Sequence, residues 1–263
     1  MGTVRNGRDD GPGRPSRPKK AASPKIYFLA AGALGLVVIL LLVVALVAGG
    51  GEEKKAAPRR ETGPRMGVPA ESGPSPASYS SSPSTSAYAS IERRSADSAP
   101  LTAAEAFPES AESISASEAK VALKGKRLDG DCAAAIWGRG LGAELRSGGC
   151  SQAARTIHVD AKKGYALSVT VFNLAGAREA GRVVEALERR RGGGFVTPLT
   201  AEGADGFGRG FGMARGLAMG HYAVVAWAQR LDGKGDEKDE TLLSLLIEGG
   251  KAPAVLGRAA RNS

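Results

Sequence analysis

The stretch RTIHVDAKKGYALSVTVFN, Arg155 to Asn173, decides the fold of this chain. Ile157 and Val159 alternate with Thr156, His158 and Asp160. Then Ala161-Lys162-Lys163-Gly164 supplies turn chemistry, and Tyr165, Leu167, Val169 and Val171 resume a two-residue period. Two alternating runs joined by a short polar turn containing glycine form a β-hairpin. Alternation also implies one buried face and one solvated face, which places His158 on the polar side beside Asp160.

Working outward, Leu174 to Arg190 reads as an amphipathic helix. Ala180, Val183, Val184 and Leu187 make its apolar stripe, and Arg178, Glu179, Arg182, Glu185 and Glu188 its polar side. Phe195 to Leu199 fits a short strand, and Glu202 to Gly220 a glycine-punctuated loop or second hairpin arm. His221 to Leu231 is a strand, with Val225 and Trp227 on one face and Tyr222 and Val224 on the other. Leu242 to Ile247 belongs to a closing helix whose positive end meets Asp239 and Glu240. On the N-terminal side, Ala133 to Arg146 has helical composition weakened by Gly138, Gly140 and Gly142. The expected class is α+β, a mainly antiparallel sheet with helices on one face.

The remainder of the chain is organised around one apolar run. IYFLAAGALGLVVILLLVVALVA, Ile26 to Ala48, carries no charge over 23 residues. As a helix it would extend about 34 Å, enough to cross a hydrocarbon layer of about 30 Å. A cleaved signal peptide has a shorter apolar region and a small-residue cleavage site, for which Val47-Ala48-Gly49 is a weak match. Arg5, Arg8, Arg14, Arg17, Lys19, Lys20 and Lys25 precede the run, and Lys54, Lys55, Arg59, Arg60 and Arg65 follow it. The positive-inside rule then puts the N-terminus in the cytoplasm and the C-terminal portion outside.

The expected organisation is therefore a basic cytoplasmic tail (1–25), a transmembrane helix (26–48), a stalk (49–124), an extracytoplasmic domain (125–248) and a flexible tail (249–263). The stalk includes ESGPSPASYSSSPSTSAYAS, Glu71 to Ser90. It has no apolar periodicity with which to offset chain entropy, so disorder is expected there. Net charge is +9 but is dispersed, without the like-charge blocks of a nucleic-acid surface. The partners expected are the lipid bilayer, a cell-wall polymer or another envelope protein, and no nucleic acid.

Cys132 and Cys150 are the only cysteines. Outside the cytoplasm two cysteines in one small domain usually pair. A straight helix over the intervening residues would hold them about 20 Å apart, against the roughly 7 Å that a disulfide permits. Pairing therefore requires the Gly138-Gly140-Gly142 stretch to break that helix, or residues near Cys132 to fold back along it; a bond between two chains is the alternative. No ligand spacing suggests a metal, and no phosphate loop or dinucleotide fingerprint suggests a cofactor. His158 and His221 are the only histidines, and neither accompanies a nucleophile motif, so no catalytic residue is assigned. Phe207, Arg209 and Phe211 in the glycine-rich loop, with His221, are candidates for the lip of a groove. Trp137 and Trp227 are expected in the core.

Cys132-Ala-Ala-Ala-Ile-Trp137-Gly, Gly149-Cys150-Ser-Gln, Phe172-Asn173-Leu174-Ala175 and Gly220-His221-Tyr222 together resemble a group of actinobacterial (Streptomyces-type) membrane proteins. The resemblance covers roughly Leu128 to Arg230. It implies a basic tail, one membrane span, a Ser/Pro-rich stalk and a small extracytoplasmic two-cysteine domain, and it implies no activity. The expected function is a membrane-anchored interaction or sensing module and not an enzyme. A cell-envelope hydrolase using His221 and the glycine-rich loop, or a passive wall-spacing protein, are the alternatives.

Overall fold

In the computed structural model, which describes residues 66–189 and 193–262, the hairpin forms the centre of a seven-stranded sheet. β5 (Gln152–Asp160) and β6 (Tyr165–Asn173) pair in register from Asp160↔Tyr165 to Gln152↔Asn173. The turn is closed by Asp160, whose Oδ1 accepts from the Lys162 and Lys163 amides. Gly164 completes it at φ +71°, where a β-carbon would be strained.

Around this pair the sheet order is β1-β8-β9-β6-β5-β3-β2. β9 (Tyr222–Arg230) flanks β6, and β8 (Gly212–Met219) is its hairpin arm. β3 (Ala119–Asp129) flanks β5, and β2 (Ser113–Ala116) closes that edge. β1 (Ser78–Ser82) forms the other edge and runs parallel to β8. β4 (Ile136–Trp137) and β7 (Phe195–Val196) make a separate two-stranded ladder.

The expectation of a mainly antiparallel sheet with helices on one face is therefore corrected. The sheet is mixed and curled, and helices cover both of its faces. On one face lie α2 (Arg139–Ser147) and α3 (Ala177–Arg189), where Ala180, Val183, Val184 and Leu187 pack with Phe172, Val225 and Trp227. On the other lies α4 (Glu240–Gly250), against Leu167, Ala226 and Ala228, followed by α5 (Pro253–Arg261). A one-turn helix, α1 (Ala103–Ala106), precedes β2 and carries a Thr102–Glu105 capping box. The alternating polar residues of the hairpin misled the one-face reading. Thr156 and His158 are buried because the α4–α5 layer stands where solvent was expected, and Ser168 and Thr170, on the opposite face in register with Ile157 and Arg155, are buried as well.

A second correction concerns the Ser/Pro-rich stretch and the C-terminal tail. All described residues belong to one compact unit, Thr62–Ser263, so the fold begins far ahead of residue 125. Its N-terminal segment docks through isolated anchors. The Tyr79 hydroxyl donates to the Val184 carbonyl (2.8 Å), the Trp137 indole to the Pro74 carbonyl (2.8 Å), and Ile91 and Leu101 are buried. Residues 253–261 form α5, with Val255 and Arg258 in the interior. Segment 26–48 lies outside the described residues, as do the basic tail and the first part of the expected stalk. Among the described residues no helix is long and apolar enough to cross a membrane.

The cysteines do pair. Cys132 and Cys150 form a disulfide with Cα atoms 6.3 Å apart. The helix expected over 133–146 is broken as that geometry demands: Cys132–Ala135 is a single 3-10 turn, β4 follows, and Gly138 at φ +91° turns the chain into α2. α2 then runs back, returning Cys150 to Cys132.

Candidate functional site

The curl of the sheet brings β2 and α4 together across its concave side. Between them a hollow of about 210 Å³ opens, room for about seven water-sized groups. Thr156 and His158, from one face of β5, line it together with Val169 and Val171 from β6. One wall is Phe107 and the strand residues Ser113 to Ser115; the opposite wall is the α4–α5 junction. At that junction Lys251 pairs with Glu248 (2.7 Å). A second hollow of about 190 Å³ shares Ser110, Pro253 and Ala254 with the first and extends to Arg261. The two form a continuous trough.

A buried polar atom of the first hollow is unsatisfied. His158 is 1% exposed, and its Nε2 donates to the Ala111 carbonyl (2.7 Å) while Nδ1 has no hydrogen-bond partner among the described residues. Thr156, also buried, lines the hollow beside His158. Unpaired buried polar groups are costly, and they commonly mark a place where a ligand or water completes the bonding.

Burial pulls the His158 pKa below its ordinary value, outweighing the support from the Ala111 carbonyl. The linkage sign follows. Above the unfolded value near 6.5 both states are neutral; below it the unfolded chain takes a proton that the folded one resists. Stability is thus expected to fall as pH drops from about 6.5, with a limiting slope of about 1.4 kcal/mol per pH unit for this group. Denaturant unfolding at pH 7.5 and 5.5 checks this, and His158→Gln should flatten part of the decline.

A second polar cluster lies at the start of β9. Asp97 Oδ2 accepts from the Tyr222 hydroxyl (2.9 Å) and from His221 Nε2 (3.1 Å), and Asp97 Oδ1 accepts from Arg258 (2.9 Å). Arg258 reaches on to Glu105 (2.7 Å), so the cluster ties α5 to the segment leading into β2. Burial pushes the Asp97 carboxyl up, but the bonds from His221, Tyr222 and Arg258 outweigh it and hold the carboxyl below its usual range. Burial lowers the His221 pKa, with Asp97 opposing.

The groove proposed from the sequence is not assembled. His221 is fully buried, and its Nδ1 faces the Leu174 carbonyl (3.2 Å). Both ring nitrogens are therefore engaged and neither is presented to a nucleophile, which removes the geometric basis for a hydrolytic site at His221. Phe207, Arg209 and Phe211 sit at the far end of β9, roughly 25 Å along the strand. Phe207 packs on Trp227 with ring centroids 4.9 Å apart, Phe211 joins the core beneath α4, and the Arg209 guanidinium bonds the Asp205 carbonyl. Buried Gln229 pins this loop, accepting from the Gly208 amide (2.8 Å) and donating to the Gly206 and Arg209 carbonyls.

Sequence reasoning missed the trough and misplaced His158. The available signal was two polar residues, Thr156 and His158, on one face of the strand at the centre of the fold. Among the described residues no group of three or more His, Cys, Asp or Glu side chains is arranged to hold a metal ion. Comparison of the chain with protein-family models, curated proteins and solved structures finds no match.

Proposed function

We propose that this chain is a binding or sensing module of the cell envelope, attached to the membrane through its apolar N-terminal run and carrying its disulfide-linked domain outside the cytoplasm. The observation that carries the binding role is the hollow floored by Thr156 and His158, where the buried His158 Nδ1 has no hydrogen-bond partner among the described residues. A concave site with apolar walls and a few convergent polar groups is the usual form of a ligand site. The Cys132–Cys150 bond supports the extracytoplasmic placement, since disulfides persist in oxidising compartments.

The full chain in detergent should melt at least about 2 °C higher in a low-molecular-mass envelope extract, because a ligand of the folded state stabilises it by mass action. Ala154→Phe, which fills the hollow, should abolish the shift. An unshifted wild-type protein counts against the binding role. Placement is checked separately: protease added to cells stripped of their wall should remove the domain, and an untouched domain contradicts the topology.

A further inference from the structure

We infer that the trough receives an extended peptide, which adds as a strand to the free edge of β2 and seats a small branched aliphatic side chain against Val169, Val171 and Ala154. This rests on the binding role proposed above and names its ligand.

Successive residues of a strand point to opposite faces, yet Ser113, Ile114 and Ser115 all line the first hollow. A hollow that meets three consecutive residues meets the strand along its edge. One edge of β2 is occupied by β3, so the hollow lies along the other.

Register then identifies which main-chain groups face it. The Leu123 amide donates to the Glu112 carbonyl (2.8 Å), so that pair is hydrogen-bonded. Bonded and non-bonded pairs alternate in an antiparallel ladder, which makes Ile114–Val121 and Ala116–Ala119 the next bonded pairs. The amides and carbonyls of Ser113 and Ser115 consequently point away from β3, towards the trough. Their hydroxyls have no partner among the described residues either. Spaced two residues apart, these groups match the repeat of an added strand.

Strand addition draws affinity from main-chain bonds and selectivity from pockets for alternate side chains. Val169, Val171 and Ala154 form an aliphatic pocket, and the only charges at its rim, Glu248 and Lys251, neutralise each other. A charged side chain would enter without a counter-charge, whereas valine fits. The second hollow continues the path, and together the two accommodate about four extended residues, roughly 13 Å.

The test is fluorescence anisotropy of fluorescein-labelled Ala-Val-Ala-Ser-amide with the full chain in detergent. Saturable binding is expected, weakened at least tenfold when the peptide amides are N-methylated or when its valine is replaced by lysine. Ser115→Pro removes only an outward-facing amide on an edge strand, where proline is tolerated. It should weaken binding tenfold with circular dichroism and unfolding midpoint unchanged, while Ser115→Ala binds normally. No saturable binding at millimolar concentration, or equal binding by the N-methylated peptide or by Ser115→Pro, overturns strand addition. Cyclohexanol separates the two readings. If it raises the melting temperature of wild type but not of Ala154→Phe while the peptide fails, the binding hollow stands and its peptide ligand falls. If neither probe acts, both fall.

Discussion

Asp97→Ala is expected to destabilise the fold by about 3–5 kcal/mol, the effect of removing one partner from a buried ion pair. Asp97 is 7% exposed and Arg258 is 3% exposed, so the guanidinium would lose its 2.9 Å partner without gaining water. The loss spreads further, because Tyr222 and His221 also donate to this carboxylate. Glu105 holds only one end of Arg258 and cannot replace it. For a domain of this size the melting temperature should fall by roughly 6–20 °C. Asp97→Leu combined with Arg258→Met should recover much of the loss, since an apolar pair leaves no charge buried. Guanidinium unfolding of the single and double variants measures both values. A single variant within about 1 kcal/mol of wild type would show that the cluster contributes little.

Removing the disulfide is the next largest change. Cys132→Ala with Cys150→Ala releases a loop of sequence separation 18, for which chain entropy gives about 3 kcal/mol. Both cysteines are buried beside Ile136, Leu141 and Leu145, and alanine leaves little of that volume filled, which adds to the loss. The double variant should still fold, because the sheet does not depend on the bond for its register, and its melting temperature should fall by roughly 6–12 °C. Calorimetry of wild type and double variant under non-reducing conditions checks this. Equal melting temperatures would mean the bond constrains nothing in the unfolded chain.

The two sites lie on different faces of the sheet. The disulfide fixes the chain between β3 and β5, and the Asp97 cluster fixes α5 against the segment that enters β2. The Asp97 cluster thereby holds the walls of the trough: Phe107 and Ser110 stand on one, Pro253 and Ala254 on the other. Loosening the Asp97 cluster should therefore widen the trough before it unfolds the sheet.

How much of this was legible in the sequence depends on the range of the interaction. The β5–β6 hairpin, the stripe of α3 and the cap of α4 are written in local periodicity and turn chemistry, and they stand where those patterns put them. The pairing of Cys132 with Cys150 was open in the sequence, since it turned on whether Gly138 would break a helix. The candidate groove failed for a different reason. Proximity in the loop suggested Phe207, Arg209 and Phe211, but these stand ten to fourteen residues from His221 along an arm and its strand and are separated from it by the strand's own length.

The sequence by itself determined the central hairpin, the main amphipathic helix and the presence of an uncharged run at 26–48. Only the tertiary structure decided that Ser78–Ser82 is a strand, that both faces of the sheet are covered, and that His158 is buried over a hollow. The physical reason is that a Ser-rich strand gains its place from main-chain bonds to β8 and one anchoring tyrosine. Such bonds are made with any side chain and leave no periodic trace. Burial of a polar face likewise depends on helices that arrive from elsewhere in the chain.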